Sequence, residues 1–399
     1  MKYSTEQFFV SLLVLLSFLF ISYILKRTAL KSIIMPPSLI AGFLALLIGP
    51  EAFGPVISDL LQPLITLPDG LIPQWMVSIW KQMPGYWITV VFAGLFLGKE
   101  IPGIAMVWKQ SLPNLLYGYI LAIGQYVIGL VLAVLLIRPV FDGNVLSGAL
   151  IAIGFQGGHG TVAGLQSTFA NLGFDDGFDI GLGIATIGLL SAIIFGATMS
   201  NIAQRGKEEM KMDDFEPPST KDEASLPFQL ALLGVTILLG WALLTFLQWA
   251  ENTLVNSEAF EIMTYVPLFP LAMIAGLIIQ KIILRLSLQN HVSRKKINNL
   301  TNLALDLLIV SALGSLSLKV LSDNWQILAI LAIGGVAYNA LIYFTISKKA
   351  FGRSWRLQGL GELGQSMGTT AVGLILLHRA GKNSNRYIDS FSYKQPLYE

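Results

Sequence analysis

The sequence has no cysteine, only three histidines in 399 residues, and charged side chains at just 13% of positions. Without thiols there is no disulfide, no thiolate nucleophile and no cysteine-based metal site. His159, His291 and His378 are scattered, so no clustered histidine and carboxylate set has metal-ligand spacing. A formal net charge of +2 is too small to indicate a polyanion, and the positive residues lie in loops rather than in a patch, so no nucleic-acid partner is expected. The glycine-rich stretch at 154–165 lacks the strand and the acidic residue that a dinucleotide site requires. The chain is therefore not expected to be an enzyme or to carry an organic cofactor.

What is present is apolar. The chain is 54% hydrophobic with a mean hydropathy of +0.66, far outside the soluble globular range. A hydrocarbon core about 30 Å thick needs roughly 20 apolar residues per helix. Runs of spanning length, or close to it, fall near 8–25, 33–49, 84–98, 112–137, 178–204, 227–249, 265–284, 302–321 and 325–347. The first is expected to be a retained helix rather than a cleaved signal, because Lys26, Arg27 and Lys31 follow the apolar run instead of preceding it. This composition predicts an all-α polytopic membrane protein.

Two further segments, 145–172 and 355–378, are rich in glycine and hydroxyl residues. The longest polar interval, "QRGKEEMKMDDFEPPSTKDEASLP", has paired prolines and mixed charge and reads as a linker over 205–226. It separates a first transmembrane repeat at 1–204 from a second at 227–380, with a polar tail at 381–399. The repeats echo one another in order: "LIAG" at 39–42 and "MIAG" at 273–276, "GLFLGK" ending at Lys99 and "GSLSLK" ending at Lys319, "GTVAGL" from Gly160 and "GTTAVGL" from Gly368.

Loop charge then orients the segments. With both glycine-rich segments entering and leaving on one side, the basic loops collect on the cytoplasmic face. Only Lys2, Lys81, Arg138 and Lys319 remain outside, apart from the tail. Five full crossings in the first half make the second half start on the opposite side, so the repeats have inverted topology, each with a re-entrant or discontinuous segment.

Irregular backbone at membrane depth must be buried in protein or line a wet cavity. In "GFQGGHGTVAGL" the glycines interrupt a helix, since each costs about 1 kcal/mol in a helix interior relative to alanine. Amide N–H groups at Gly157, Gly158 and Gly160 can face an anion. Freed carbonyls, the hydroxyls of Thr161, Ser366, Thr369 and Thr370, and the amides of Gln156 and Gln365 offer oxygen to Na+. No other metal is expected. His159 reads as a hydrogen-bonded helix-end group, a substrate contact or a proton site. Asp306 is an acidic group inside an apolar run, hence an ion or proton site or a water-facing or salt-bridged carboxylate, with Asn302 one turn away. Glu362 is expected to pair with Arg356.

These residues resemble the bacterial sodium/glutamate symporter family. The resemblance rests on "GFQGGHGTVAG" at 154–164 and "GQSMGTTAVG" at 364–373 and extends over nearly the whole chain in segment order. It implies Na+-coupled glutamate symport across the bacterial inner membrane, Na+ as coupling ion, and a homodimer with elevator-like motion. Carried over are Gly157, Gly158, His159, Gly160 and Thr161, then Gln365, Ser366, Gly368 and Thr369. The family's last helix, matching 178–204, has no apolar counterpart after residue 378. The alternatives are another dicarboxylate or anionic amino acid, H+ as coupling ion, a channel, or a transport-inactive subunit.

Overall fold

The computed structural model describes residues 4–30, 35–61, 71–99, 104–205, 225–254, 262–368, 372, 373 and 376. All regular structure among them is helical. In chain order the helices are α1 (Thr5–Arg27), α2 (Pro37–Ile48), α3 (Gly54–Leu61), α4 (Gln74–Ala93), α5 (Ile104–Leu132), α6 (Arg138–Phe141), α7 (Gly158–Gly164) and α8 (Gln166–Asn171). There follow α9 (Gly177–Arg205), α10 (Leu226–Leu254), α11 (Leu268–Arg285), α12 (Arg294–Gly314), α13 (Leu318–Asp323), α14 (Trp325–Phe351) and α15 (Trp355–Met367). Seven stretches among the described residues are long and apolar enough to cross a membrane: α1, Leu112–Phe141, Gly177–Gly196, α10, α11, α12 and α14. The linker at 206–224 and the tail at 381–399 lie outside the described residues.

Local chemistry sets the starts. Ser4 and Gln7 close a reciprocal capping box on α1, each side chain accepting from the other's backbone N–H. Pro36, Pro73 and Pro267 immediately precede α2, α4 and α11. Two helices depart from the apolar runs. α4 begins at Gln74 rather than at Pro84, which lies in its interior. Its early turns hold because Met76, Ile79, Trp80 and Met83 are buried in one cluster with Leu15, Phe18 and Leu19 of α1, and the Trp80 indole donates to the Ser11 carbonyl. α12 begins at Arg294, capped by the Ser293 hydroxyl, and stops at Gly314. Asp306 therefore stands in the middle of its helix.

The chain forms two compact units, and each half of the sequence contributes to both. The first contains 1–99, 163–178 and 222–322; the second contains 100–162, 179–221 and 323–399. In the first unit α2 packs on α1 and α12, α11 packs on α10 and α4, and α4 packs on α12. Exchanging α1 with α10, α2 with α11 and α4 with α12 maps this set of pairings onto itself.

The polarity of the first unit is inside-out for water. On α1, Ser11 and Ser22 are fully buried while Leu13 and Phe20 are 61% and 67% exposed. The Ser22 hydroxyl donates to the Leu19 carbonyl at 2.7 Å, satisfying itself within the helix. Small polar residues inward with large apolar residues outward suits a lipid surround, where helices associate by close packing rather than by escape from water.

Where the chain leaves this unit it is tied down. Gly98 has φ +70°, a left-handed conformation that favours glycine. Its N–H donates to the Gln280 side-chain oxygen at 2.8 Å, and the Gln280 amide donates to the Lys99 carbonyl at 2.8 Å. The Arg294 guanidinium donates to the carbonyls of Gly94 at 2.7 Å and Leu97 at 2.8 Å, placing a cation at the C-terminal end of α4.

In the second unit α14 packs on α5 and α15 around a core of Tyr117, Leu121, Ile342 and Phe351. The Tyr117 and Phe351 rings lie 5.0 Å apart. Irregular turns replace continuous helix here: a π turn at Ala133–Ile137, a 3-10 turn at Val145–Ala149 and a second π turn at Ala152–Gln156.

Candidate functional site

The first glycine-rich segment folds back on itself. At the second π turn the Gly157 N–H reaches the Ala152 carbonyl at 3.1 Å, one residue further than an α-helix allows. Gly158 follows with φ +66°, and α7 starts there. A Cβ on Gly181 of α9 would lie 2.9 Å from Val162 and 3.5 Å from Leu150. In a continuous helix those two residues would be about 18 Å apart. They meet the same glycine because the chain reverses between them.

The second segment reverses as well. A Cβ on Gly364 would stand 2.7 Å from Gly373 Cα, whereas nine residues of helix rise about 13.5 Å. The Gly368 N–H closes α15 on the Gly364 carbonyl at 3.1 Å. Thr369 and Thr370 lie outside the described residues.

Both reversals reach one place on α9. A Cβ on Gly188 would be 2.5 Å from the Met367 carbonyl and 2.5 Å from the Phe155 ring. Phe155 is fully buried and also touches Gly335 of α14, where a Cβ would stand 2.7 Å from the ring. Glycine at 188 and 335 thus makes room for the ring that wedges the first segment beside the end of the second.

His159 is buried, with Nε2 3.0 Å from the Thr186 hydroxyl. Thr186 donates to the Leu182 carbonyl at 2.8 Å, so it accepts from His159, which assigns the Nε2–H tautomer from the network. His159 is thereby a hydrogen-bonded group tying the first segment to α9. The Thr161 hydroxyl donates to the Gly157 carbonyl at 2.9 Å, a back-bond within the turn that leaves oxygen lone pairs open. Gly158 and Gly160 are buried and Gly157 is exposed. Gln156 is half-buried and Gln365 is buried, and the side-chain oxygen of each has no hydrogen-bond partner.

Asp306 belongs to the first unit. It is half-buried and accepts from the Tyr23 hydroxyl at 3.4 Å, while Asn302 is exposed. Glu362 is buried, and the Arg356 guanidinium lies over the Trp355 ring at 5.2 Å.

Two buried residues escaped the sequence reading. Gln125 of α5 donates to the Asn339 side-chain oxygen at 3.2 Å and to the Ser366 carbonyl at 2.9 Å, and the Ser366 hydroxyl donates to the same Asn339 oxygen at 2.8 Å. Each is a lone amide within an apolar span, which was the available signal.

Spanning helices, inward polar groups and two reversing glycine-rich segments gathered at one helix describe a polytopic membrane transporter. The chain belongs to the sodium/glutamate symporter family, whose sequence profile matches residues 75–379 and so includes both reversing segments. That membership makes it a transporter rather than an enzyme, with Na+ and glutamate as the pair the family implies. A comparison with curated proteins gives no match.

Proposed function

We propose that this chain accumulates glutamate by Na+-coupled symport, with the two reversing segments as the walls of the transport site. The observation that carries the reading is their convergence on Gly188 through Phe155 and Met367. In this reading the segments are re-entrant and the repeats inverted, in keeping with the exchange symmetry of the helix pairings in the first unit. With the Gly157 N–H taken by the Ala152 carbonyl, amide N–H groups at Gly158 and Gly160 hold substrate carboxylate, and Gln156, Thr161, Gln365, Ser366, Thr369 and Thr370 offer oxygen to the ion. His159 holds the first turn in register through Thr186. The second unit is the moving part of an elevator-type homodimer in a bacterial inner membrane.

Reconstituting the chain in liposomes and following radiolabelled glutamate under an inward Na+ gradient, against choline, tests this. Accumulation above the external concentration only with Na+ is the expected result. Equilibration without accumulation would mean a channel, and accumulation driven equally by a proton gradient in choline would replace the coupling ion.

A further inference from the structure

The amide network between α5, α14 and α15 has too much oxygen. Gln125 and Asn339 are fully buried and Ser366 is 1% exposed. Gln125 uses both amide hydrogens, one on Asn339 Oδ1 and one on the Ser366 carbonyl. Ser366 directs its hydroxyl hydrogen to Asn339 Oδ1 at 2.8 Å, and Asn339 donates to the Gly335 carbonyl at 2.8 Å. Asn339 Oδ1, with two donors, is saturated.

Left over are Gln125 Oε1, buried with no partner, the remaining lone-pair capacity of Ser366 Oγ, and on the adjacent residue the buried, unpartnered Gln365 Oε1. A buried acceptor without a donor costs about 1–3 kcal/mol, and here two lie on neighbouring elements. An electropositive ligand removes that cost. The donor set is amide and hydroxyl oxygen, all hard and all neutral, and no group of three or more acidic, histidine or cysteine side chains stands together among the described residues. Neutral oxygens suit a monovalent cation, since a divalent one in a low-dielectric interior calls for carboxylate compensation. The complete burial of Gln125 and Asn339 between three helices favours a bare ion over an amino-acid ammonium group.

We propose that Gln125 Oε1, Ser366 Oγ and Gln365 Oε1 form a Na+ site held in shape by Asn339. The proposal rests on the Na+-coupled reading above and adds Gln125 and Asn339, one binding and one positioning residue, to the machinery. Because Ser366 belongs to both the ion site and the end of α15, occupancy fixes the last turn of that helix.

The test is equilibrium binding of radioactive Na+ to the purified full chain without glutamate, beside the Na+ dependence of uptake. Ser366→Ala and Gln125→Leu are each expected to raise the Na+ concentration for half-saturation on the order of tenfold, the scale of one lost oxygen ligand. The shift in Na+ half-saturation of uptake should exceed the shift in glutamate KM measured at saturating Na+. Ser366→Ala removes one atom and leaves the Gln125–Asn339 bond in place, so it guards against a folding defect in the other variant. Should both folded variants bind Na+ as the parent does, or should the parent bind none, the network is structural or water-filled and the site is wrong. Should the parent bind Na+ through these residues yet show no Na+-driven uptake, the site stands and the symport reading falls.

Discussion

Among the described glutamines, three from each unit are used in opposite ways. In the first unit Gln229 donates to the His291 carbonyl and accepts from the Ser293 N–H, Gln280 brackets Gly98 and Lys99, and Gln248 donates to the Met263 carbonyl. Each amide fastens a loop to a helix. In the second unit Gln125, Gln156 and Gln365 all keep a side-chain oxygen without a partner. The unpartnered side-chain groups of the first unit, among the described residues, are the hydroxyls of Ser11 and Ser38 and the Trp87 indole N–H. One residue type serves as a fastener where the backbone offers both a donor and an acceptor. It keeps a bare oxygen where, as at Gln125, its neighbours take only its hydrogens.

The contrast can be broken most severely at Gly158. Valine there must adopt φ +66° on a buried residue, a conformation that costs a β-branched side chain roughly 1–3 kcal/mol or forces the turn open. Uptake by Gly158→Val is expected to vanish while the protein still inserts and elutes as the parent does; retained uptake would remove the first segment from the site. Next comes Thr186→Val, which strips His159 of its partner. About 1–3 kcal/mol of unpaired polar group should reduce uptake about tenfold, with Thr186→Ser near parental. Equal activity of both variants would show the His159 contact to be dispensable.

A smaller effect, of a different kind, is expected from Gln280→Leu. It leaves the Gly98 N–H and Lys99 carbonyl without their side-chain partner, at about 2 kcal/mol, so the melting temperature in detergent should drop by several degrees while Na+ half-saturation stays put. A shifted Na+ affinity would erase the distinction between fastener and ligand. The smallest change belongs to Asp306→Asn. Its carboxylate is half-buried beside Tyr23 in the first unit, and uptake should alter less than about threefold. A large loss, or a new pH dependence, would return Asp306 to the ion or proton pathway.

Seven of the nine apolar runs were legible as spans because hydropathy reports them directly, whereas 33–49 and 84–98 match α2, twelve residues long, and part of α4, neither of them among the seven. The helix break near Gly157 was legible because glycine is costly in any continuous helix. The start of α4 was not. Lys81 and Gln82 interrupt the apolar run, and what holds that turn is Trp80 reaching Ser11, sixty-nine residues earlier. The seat of Phe155 was hidden for a similar reason: Gly188 and Gly335 read as ordinary small residues until tertiary packing brings both to one ring. Gln125 and Asn339 carry no periodicity, so a search led by glycine and acid passes over them. The two units interleave along the chain, and linear order cannot express that.

The tie at Gly98 and Lys99 has a mechanical side. Four hydrogen bonds from Gln280 and Arg294 hold the segment Gly94–Lys99, and the chain enters the second unit at the very next residue. An end gripped at several points resists torque as well as tension. Rotation applied to this end would act first on those four bonds rather than on the α4 core around Trp80.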